Sequence, residues 1–253
     1  MIRAMLARIR QGHRTTGYPR VPAVLPERFR GYPRLDPSRC PGGCHACGDA
    51  CAYGAITHEA GTLRLDMGKC IFCPECVDAC PHEALAFGND AQLSSNTREG
   101  LVVLSGEERQ KTRAMGDELI SLFGRSIKFR EVSAGGCNGC EADTNVLSTI
   151  GWDLGRFGVQ FVASPRHADG LWITGPVTAN MKEAVRIAYE AVPSPKIVVA
   201  CGACAIGGGP YAGSPEASDG IGGLLPVDLY IPGCPPHPVT ILDGLLRLLG
   251  KIR

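Results

Sequence analysis

The 253-residue sequence predicts two folded units in series, a small α+β module built around cysteines and then an α/β unit with an open parallel sheet. Three observations carry that expectation. All 13 cysteines fall into three groups rather than scattering along the chain. The first two groups form an internal repeat, in which four cysteines run each time into a short apolar segment, Cys40 to Ile56 and then Cys70 to Leu85. From residue 127 onward short apolar runs alternate with helix-forming stretches, the pattern of buried parallel strands joined by helices.

Residues 1–37 read as a basic N-terminal arm and strap. Residues 1–34 hold eight arginines (Arg3, Arg8, Arg10, Arg14, Arg20, Arg28, Arg30 and Arg34) against one acid, Glu27, so the net charge of +1 hides an arm of +7 and a body of −6. Ile2, Met5, Leu6 and Ile9 recur at helical spacing among Arg3, Arg8 and Arg10, which makes a short amphipathic helix suited to a headgroup surface or an acidic partner groove. A frayed, solvated terminus is the plain alternative. An organelle transit peptide is also rich in Arg, but it is rich in Ser too, and this arm has none. From Tyr18 to Pro37, five prolines (19, 22, 26, 33 and 37) forbid regular helix and predict an extended strap laid over another surface. No uninterrupted apolar stretch approaches the roughly eighteen residues that span a bilayer, so membrane association is expected to be peripheral or through partners. With no evident signal peptide, the thiols are expected to be metal ligands in a reducing, cytoplasmic compartment rather than disulfides.

Residues 38–90 hold the first two cysteine groups. Cys70-Ile-Phe-Cys73-Pro-Glu-Cys76-Val-Asp-Ala-Cys80-Pro81 matches the bacterial ferredoxin run C-x2-C-x2-C-x3-C-P at every position. The earlier run, Cys40-Pro-Gly-Gly-Cys44-His-Ala-Cys47-Gly-Asp-Ala-Cys51, has one extra residue after Cys40 and Ala52 in place of Pro. Gly42 and Gly43 can adopt the positive φ angles that absorb such an insertion. The apolar tails Tyr53-Gly-Ala-Ile56 and Ala84-Leu-Ala-Phe87 make only a small core, which metal centres would have to staple. In two-cluster ferredoxins the fourth cysteine of each run serves the other run's cluster. Carried over, that likeness implies one [4Fe–4S] cluster on Cys40, Cys44, Cys47 and Cys80 and a second on Cys70, Cys73, Cys76 and Cys51. Paired structural zinc sites and a disulfide scaffold are the competing readings, and two fused quartets fit neither well.

Residues 91–125 read as a polar linker with one helix, Glu107 to Phe123. Residues 126–253 read as a flavodoxin-like open parallel sheet, with strands at Val159–Val162, Gly170–Thr174, Lys196–Ala200 and Val227–Ile231 and an amphipathic helix at Asn180–Ala191. Ligands of such sheets sit beyond the carboxyl ends of the strands. The last two strands deliver Cys201, Cys204 and Cys234 to that edge, where Gly135-Gly-Cys137-Asn-Gly-Cys140-Glu141 completes a third, discontinuous group. Five thiols are available for four places, and the adjoining glycines let backbone N–H groups approach the sulfurs. A buried structural thiol or a zinc knot is the alternative. Trp152, Trp172 and the apolar residues from Ile241 to Leu249 read as core or interface, with a docking role open only to the terminal helix.

The stretch Gly12 to Cys40, with Gly17-Tyr-Pro19 and Phe29-Arg-Gly31, together with Gly68-Lys-Cys-Ile-Phe-Cys73, resembles the ferredoxin-like subunit of formate hydrogenlyase. Gly136-Cys-Asn-Gly-Cys-Glu141, Ser164-Pro-Arg-His-Ala-Asp169, Gly202-Ala-Cys204 and Tyr230-Ile-Pro-Gly-Cys-Pro-Pro236 resemble the small subunit of membrane-bound group 4 [NiFe]-hydrogenases, which is related to the 20 kDa subunit of respiratory complex I. The chain looks like the two fused. The resemblance implies that the third group is a proximal [4Fe–4S] site beside a nickel–iron centre in a separate large subunit, held by Cys137, Cys140, Cys204 and Cys234 with Cys201 spare. Complex I subunits have two adjacent cysteines at the first position, so the spaced Cys137 and Cys140 favour the hydrogenase branch. Ala134 stands where the hydrogenlyase subunit usually has another cysteine. Glu141 and His167 lie in the matching motifs, either facing the large subunit as proton-handling groups or serving as a helix N-terminal acid and a turn residue.

The expectation is thus an electron-transfer subunit with three [4Fe–4S] clusters, peripheral on the cytoplasmic side of the cell membrane. Its expected partners are a [NiFe]-hydrogenase large subunit, membrane-embedded subunits and an electron-donor module, and no nucleic acid. A complex I-like or sulfur-reducing machine without nickel, and a zinc-stabilised interaction protein, are the rivals.

Overall fold

The computed structural model describes residues 1–12, 14–41, 43–59, 62–107 and 111–252. Helix α1 (Ile2–Gln11) is built from good helix formers and stops where Gly12 turns to φ +63°. None of its residues is buried against the body. The proline-rich strap that follows is non-helical, as its composition requires, and it crosses both halves of the molecule. At one end the Thr16 N–H donates to the Gly151 carbonyl (2.8 Å) and the Tyr18 hydroxyl to the Asp243 carboxylate (2.6 Å). At the other, the Gly31 and Tyr32 amides reach the carbonyls of Gly88 (2.7 Å) and Asp90 (2.8 Å).

The strap then supplies β1 (Pro33–Leu35) to the cysteine module, which continues with α2 (Ala46–Asp49), β2 (Ile56–Glu59), β3 (Thr62–Asp66), α3 (Glu75–Asp78) and β4 (Leu85–Phe87). Strand β1 pairs antiparallel with β4, and β3 lies between β2 and β5 (Val102–Leu104), which comes from the connector. Gly43 has the positive φ (+89°) expected of it, while Gly42 lies outside the described residues. The connector is sewn to both neighbours. Arg98 forms a two-pronged ion pair with Asp66 (2.7 Å at each prong), and Ser95 exchanges backbone hydrogen bonds with Tyr230. Its helix is shorter than the sequence suggested. Residues 111–116 are not helical, 108–110 lie outside the described residues, and α4 spans Asp117–Phe123, where Gly116 precedes an acidic first turn.

The remaining elements are β6 (Ile127–Ser133), α5 (Gly139–Val146), β7 (Val159–Phe161), β8 (Gly170–Thr174), α6 (Ala179–Ala191), β9 (Ile197–Cys201), α7 (Ala203–Gly207), β10 (Leu229–Ile231) and α8 (Pro238–Leu248). The sheet is wholly parallel in the order β10-β9-β8-β6-β7, the flavodoxin-like arrangement with its switch point between β6 and β8. Alternation sorts the two faces. Leu171, Ile173, Val198 and Ala200 join a core that continues into the cysteine module, whereas Phe129, Trp172, Val199 and Cys201 pack with Leu147 and α8.

Of the two readings the sequence left for the terminal apolar stretch, core and interface, helix α8 takes the first, because every residue of it is buried within this chain. The His237 ring nitrogen Nδ1 caps it by accepting from the Val239 N–H (3.2 Å), and Pro238 occupies the first turn. Burying Leu242, Leu245, Leu246 and Leu249 contributes about 6–12 kcal/mol before entropy, enough to hold a helix too short to persist alone.

Candidate metal centres

Each half of the cysteine module presents its sulfurs in the same way. Cys47 lies on α2 and Cys76 on α3, two single-turn helices that pack together, and both side chains are buried. The fourth cysteine of each run accepts a hydrogen bond from the amide four residues on, Ala55 N–H to Cys51 Sγ and Ala84 N–H to Cys80 Sγ, both at 3.3 Å. Cys70 Sγ accepts from the Phe72 N–H, also at 3.3 Å. Such N–H groups stabilise sulfur in its charged form.

The runs interleave. Burial pushes the Cys47 thiol up, and the charge that adds most to it is that of Cys80, from the other run. Cys40 is raised by burial and then by Cys44 and Cys80. Burial pushes Cys70 and Cys76 up to about 12, with Cys51 and Cys73 among the charges beside both. These mutual influences link Cys47 and Cys40 to Cys80 of the other run, and Cys70 and Cys76 to Cys51 of the first, with Cys47 also bearing on Cys76. Ionised together, such desolvated sulfurs repel one another, and a cationic inorganic centre relieves both penalties. Among the described residues, no three His, Cys, Asp or Glu side chains are gathered around a single-ion position.

The third group sits beyond the carboxyl ends of the strands. Cys137 and Cys140 follow β6, Cys201 ends β9, Cys204 lies on α7 and Cys234 follows β10. Cys140 is raised by burial and then by the charges of Cys204, Glu141, Cys234 and Cys137, and burial pushes Cys204 up to about 11. Cys137 and Cys234 are exposed, so this group opens outward. Cys201 is placed differently. It is 0% exposed and belongs to the core on the α8 face of the sheet. Gly202 lets the backbone pass close to the sulfurs: at φ +92° a Cβ there would stand 2.4 Å from Cys140 Sγ.

Glu141 is turned inward beneath this group, where the hydroxyls of Ser133 and Thr174 donate to its Oε1 at 2.5 and 2.7 Å. Next to it is a residue that the sequence reading missed. Burial, and then the Glu141 charge, push Glu131 up to about 7. The available signal was its place in β6, four residues after Ile127 and two after Phe129 on the same face of the strand. His167 is not brought to the site. It is exposed in a single turn near the amino ends of the strands, where its N–H donates to the Ser164 carbonyl (3.1 Å).

The second and third groups adjoin. The turn leading into Cys70 lies against α7, so close that a Cβ on Gly207 would stand 3.1 Å from the Gly68 carbonyl oxygen. Ile71 and Phe72 face Cys234-Pro-Pro-His237 across a groove of about 300 Å³, into which Phe29 of the strap brings its ring, 5.4 Å from that of His237.

Residues 137–248 match the family model of the NADH ubiquinone oxidoreductase 20 Kd subunit, and residues 32–99 match that of the 4Fe-4S dicluster domain. The chain is 42% identical over 148 residues to the probable membrane-bound hydrogenase subunit mbhJ of Pyrococcus furiosus, a match covering 58% of this chain and 89% of that one. To formate hydrogenlyase subunit 7 of Escherichia coli it is 40% identical over 139 residues, covering 55% of this chain and 54% of the relative. A chain in the structure of the membrane-bound sulfane sulfur reductase, an archaeal respiratory membrane complex, matches at 34% identity and TM-score 0.47, covering 54% of this chain and 76% of that one.

Proposed function

Since this chain belongs to the family of the 20 kDa subunit shared by NiFe-hydrogenases and complex I, with subunit mbhJ among its members, we propose that it relays electrons through three [4Fe–4S] clusters to or from a nickel–iron site in a partner large subunit. It is an iron–sulfur, electron-transferring subunit of membrane-bound hydrogenase-like and complex I-like complexes, and so a component of an oxidoreductase. When bound, the clusters supply one-electron redox chemistry at potentials set by ligation, burial and hydrogen bonds to sulfur.

Cys40, Cys44, Cys47 and Cys80 would hold the first, Cys51, Cys70, Cys73 and Cys76 the second, and Cys137, Cys140, Cys204 and Cys234 the third. Cys201 stays a core thiol in this assignment. The chain's own task is to bury and space these sulfurs. The hydrogen-bonded amides of Phe72, Ala55 and Ala84 favour their charged form, and the Asp66–Arg98 pair holds the turn that carries Cys70 against α7.

One observation carries the reading. Helix α7, which carries Cys204 of the third group, packs against the turn leading into Cys70, and the group is exposed at Cys137 and Cys234. Such a site has an inward neighbour in this chain and an outward neighbour in another, which is what a relay to a partner's active site requires. The partner assembly is proposed to include membrane-embedded subunits and a donor module, with this subunit peripheral on the cytoplasmic side.

The test is anaerobic purification of the intact complex through a tag on this chain, with metal analysis and paramagnetic resonance. About twelve iron atoms per copy of this chain, beyond the iron of the partners, and nickel in the large subunit are expected. Zinc with negligible iron here would end the proposal, and full iron with no nickel in the complex would move its endpoint to another acceptor.

A further inference from the structure

We infer that α1 is a membrane-surface anchor that lies flat on anionic lipid headgroups; the inference deepens the proposed membrane association by naming what this chain itself touches there. At about 100° per residue, Ile2, Met5, Leu6 and Ile9 fall on one stripe roughly a quarter of the helix circumference wide. All four are exposed, from 49% at Leu6 to 76% at Ile9, so none of the described residues covers the stripe. Arg3 and Arg10 border it on one side and Arg8 on the other, while Ala4, Ala7 and Gln11 form the back. A helix lying in an interface has this design, since arginines on both flanks reach the phosphates while the stripe sinks between them and the small back faces water.

The charge pattern selects the lipid. Residues 1–26 contain five arginines and no acid. A helix of ten residues is also too short to persist in water without a surface to fold on. The body presents the same chemistry at the root of the arm. The Thr15 hydroxyl is tied to the carbonyl of Ile150 (2.9 Å), whose side chain is 78% exposed, and Arg14 and Arg20 lie exposed on either side of that tie. An acidic groove on a partner protein would take the same stripe and flanking arginines, and vesicle flotation separates it from a lipid surface.

The test uses the full chain, with its iron–sulfur content restored anaerobically, floated with vesicles of phosphatidylcholine alone or mixed with phosphatidylglycerol. Binding to the mixed vesicles, weakened by salt, is expected. Each arginine near such a surface is worth about a fivefold change in partition, so the triple variant R3Q/R8Q/R10Q should bind about a hundredfold more weakly. A stripe variant, I2S/I9S, should lose binding at every salt concentration. Equal binding to both vesicle types, or unchanged binding of the triple variant, overturns the anchor, since apolar surface elsewhere on the isolated chain would then be responsible. Absence of vesicle binding, with α1 crosslinking in the complex to an acidic subunit, overturns it in favour of the protein groove. Iron measured on the same samples keeps the two readings apart, because lost binding with iron intact counts against the anchor alone.

Discussion

Replacing Gly202 with alanine should remove the third cluster and spare the other two. Two independent costs meet at this position. At φ 92° and ψ 155° the backbone occupies a region essentially reserved for glycine, and an alanine there costs about 1–3 kcal/mol. The new Cβ would also stand 2.4 Å from Cys140 Sγ, whereas non-bonded heavy atoms settle about 3.5–4.0 Å apart. The sulfur or the backbone must therefore retreat by about 1 Å or more, against a tolerance near 0.2 Å for metal–ligand bonds. The cysteine module is not touched by this displacement. Iron in this chain should fall from about twelve atoms to about eight, with the resonance signals of the two ferredoxin-like clusters unchanged. Gly213→Ala is the control, because its φ is also positive (+77°) but no atom lies within 4 Å of the added Cβ, so it should keep all its iron. If G202A retains full iron and an unaltered third signal, then Cys140 is not a ligand or the cradle described around it is wrong.

Separate replacement of the two neighbouring thiols on β9 and α7 should divide cleanly: Cys204→Ser loses the third cluster's signal, while Cys201→Ala keeps it and lowers the melting temperature only through a small core cavity. The opposite outcome would exchange their roles. Tyr18→Phe removes the strap's partly buried hydrogen bond to Asp243, which keeps its partner Arg247 (2.8 Å); a loss of about 1 kcal/mol in denaturant unfolding is expected, with faster proteolysis of the strap. No change in either would mean that the strap is held elsewhere. Glu131 gives a pH test. Its pKa is raised from 4.5 to about 7, so the native protein loses stability as pH rises between those values and no further above them. Glu131→Gln lacks that loss and should gain about 1–2 kcal/mol on the native chain by pH 8, once partial solvent screening is allowed for. A stability difference that does not vary with pH would show that this carboxyl is not desolvated.

The cysteine runs were legible because their spacing is the chemistry, and the same is true of strands buried on both faces, such as β8, which needs no partner to identify it. The features that escaped depend on what a segment touches. Strand β6 carries Lys128, Arg130 and Glu131 among its apolar residues and so reads as polar, yet it is an interior strand, paired on both sides by β8 and β7. Strands β1 and β5 have three residues each and exist only because β4 and β3 offer them edges. The sequence left the terminal helix open between core and docking surface, because nothing in its own residues announces that the strap, through Tyr18, and the connector, through Ser94 and Met115, lie over it. Glu141 illustrates the same limit, since its motif marked the position but not its two inward hydrogen bonds.

Those long-range contacts have one physical theme, which is fixed spacing between sulfur groups. An electron relay tolerates many surfaces but not a variable gap, because transfer falls off steeply with distance. Two modules joined by a free linker would leave the turn before Cys70 and helix α7 to find each other by diffusion. Here the connector is instead a strand in one sheet through β5 and a bridge to the edge of the other through Ser95, with Arg98 clamped on Asp66 between them. The strap makes a second tie on a separate path, from Asp90 and Gly88 at the module to Asp243 on α8. Two ties at different places resist hinging where one would permit it. Fusion of the modules in a single chain is therefore more than a convenience of synthesis: it lets backbone hydrogen bonds, rather than a dissociable interface, set the distance between the second and third groups.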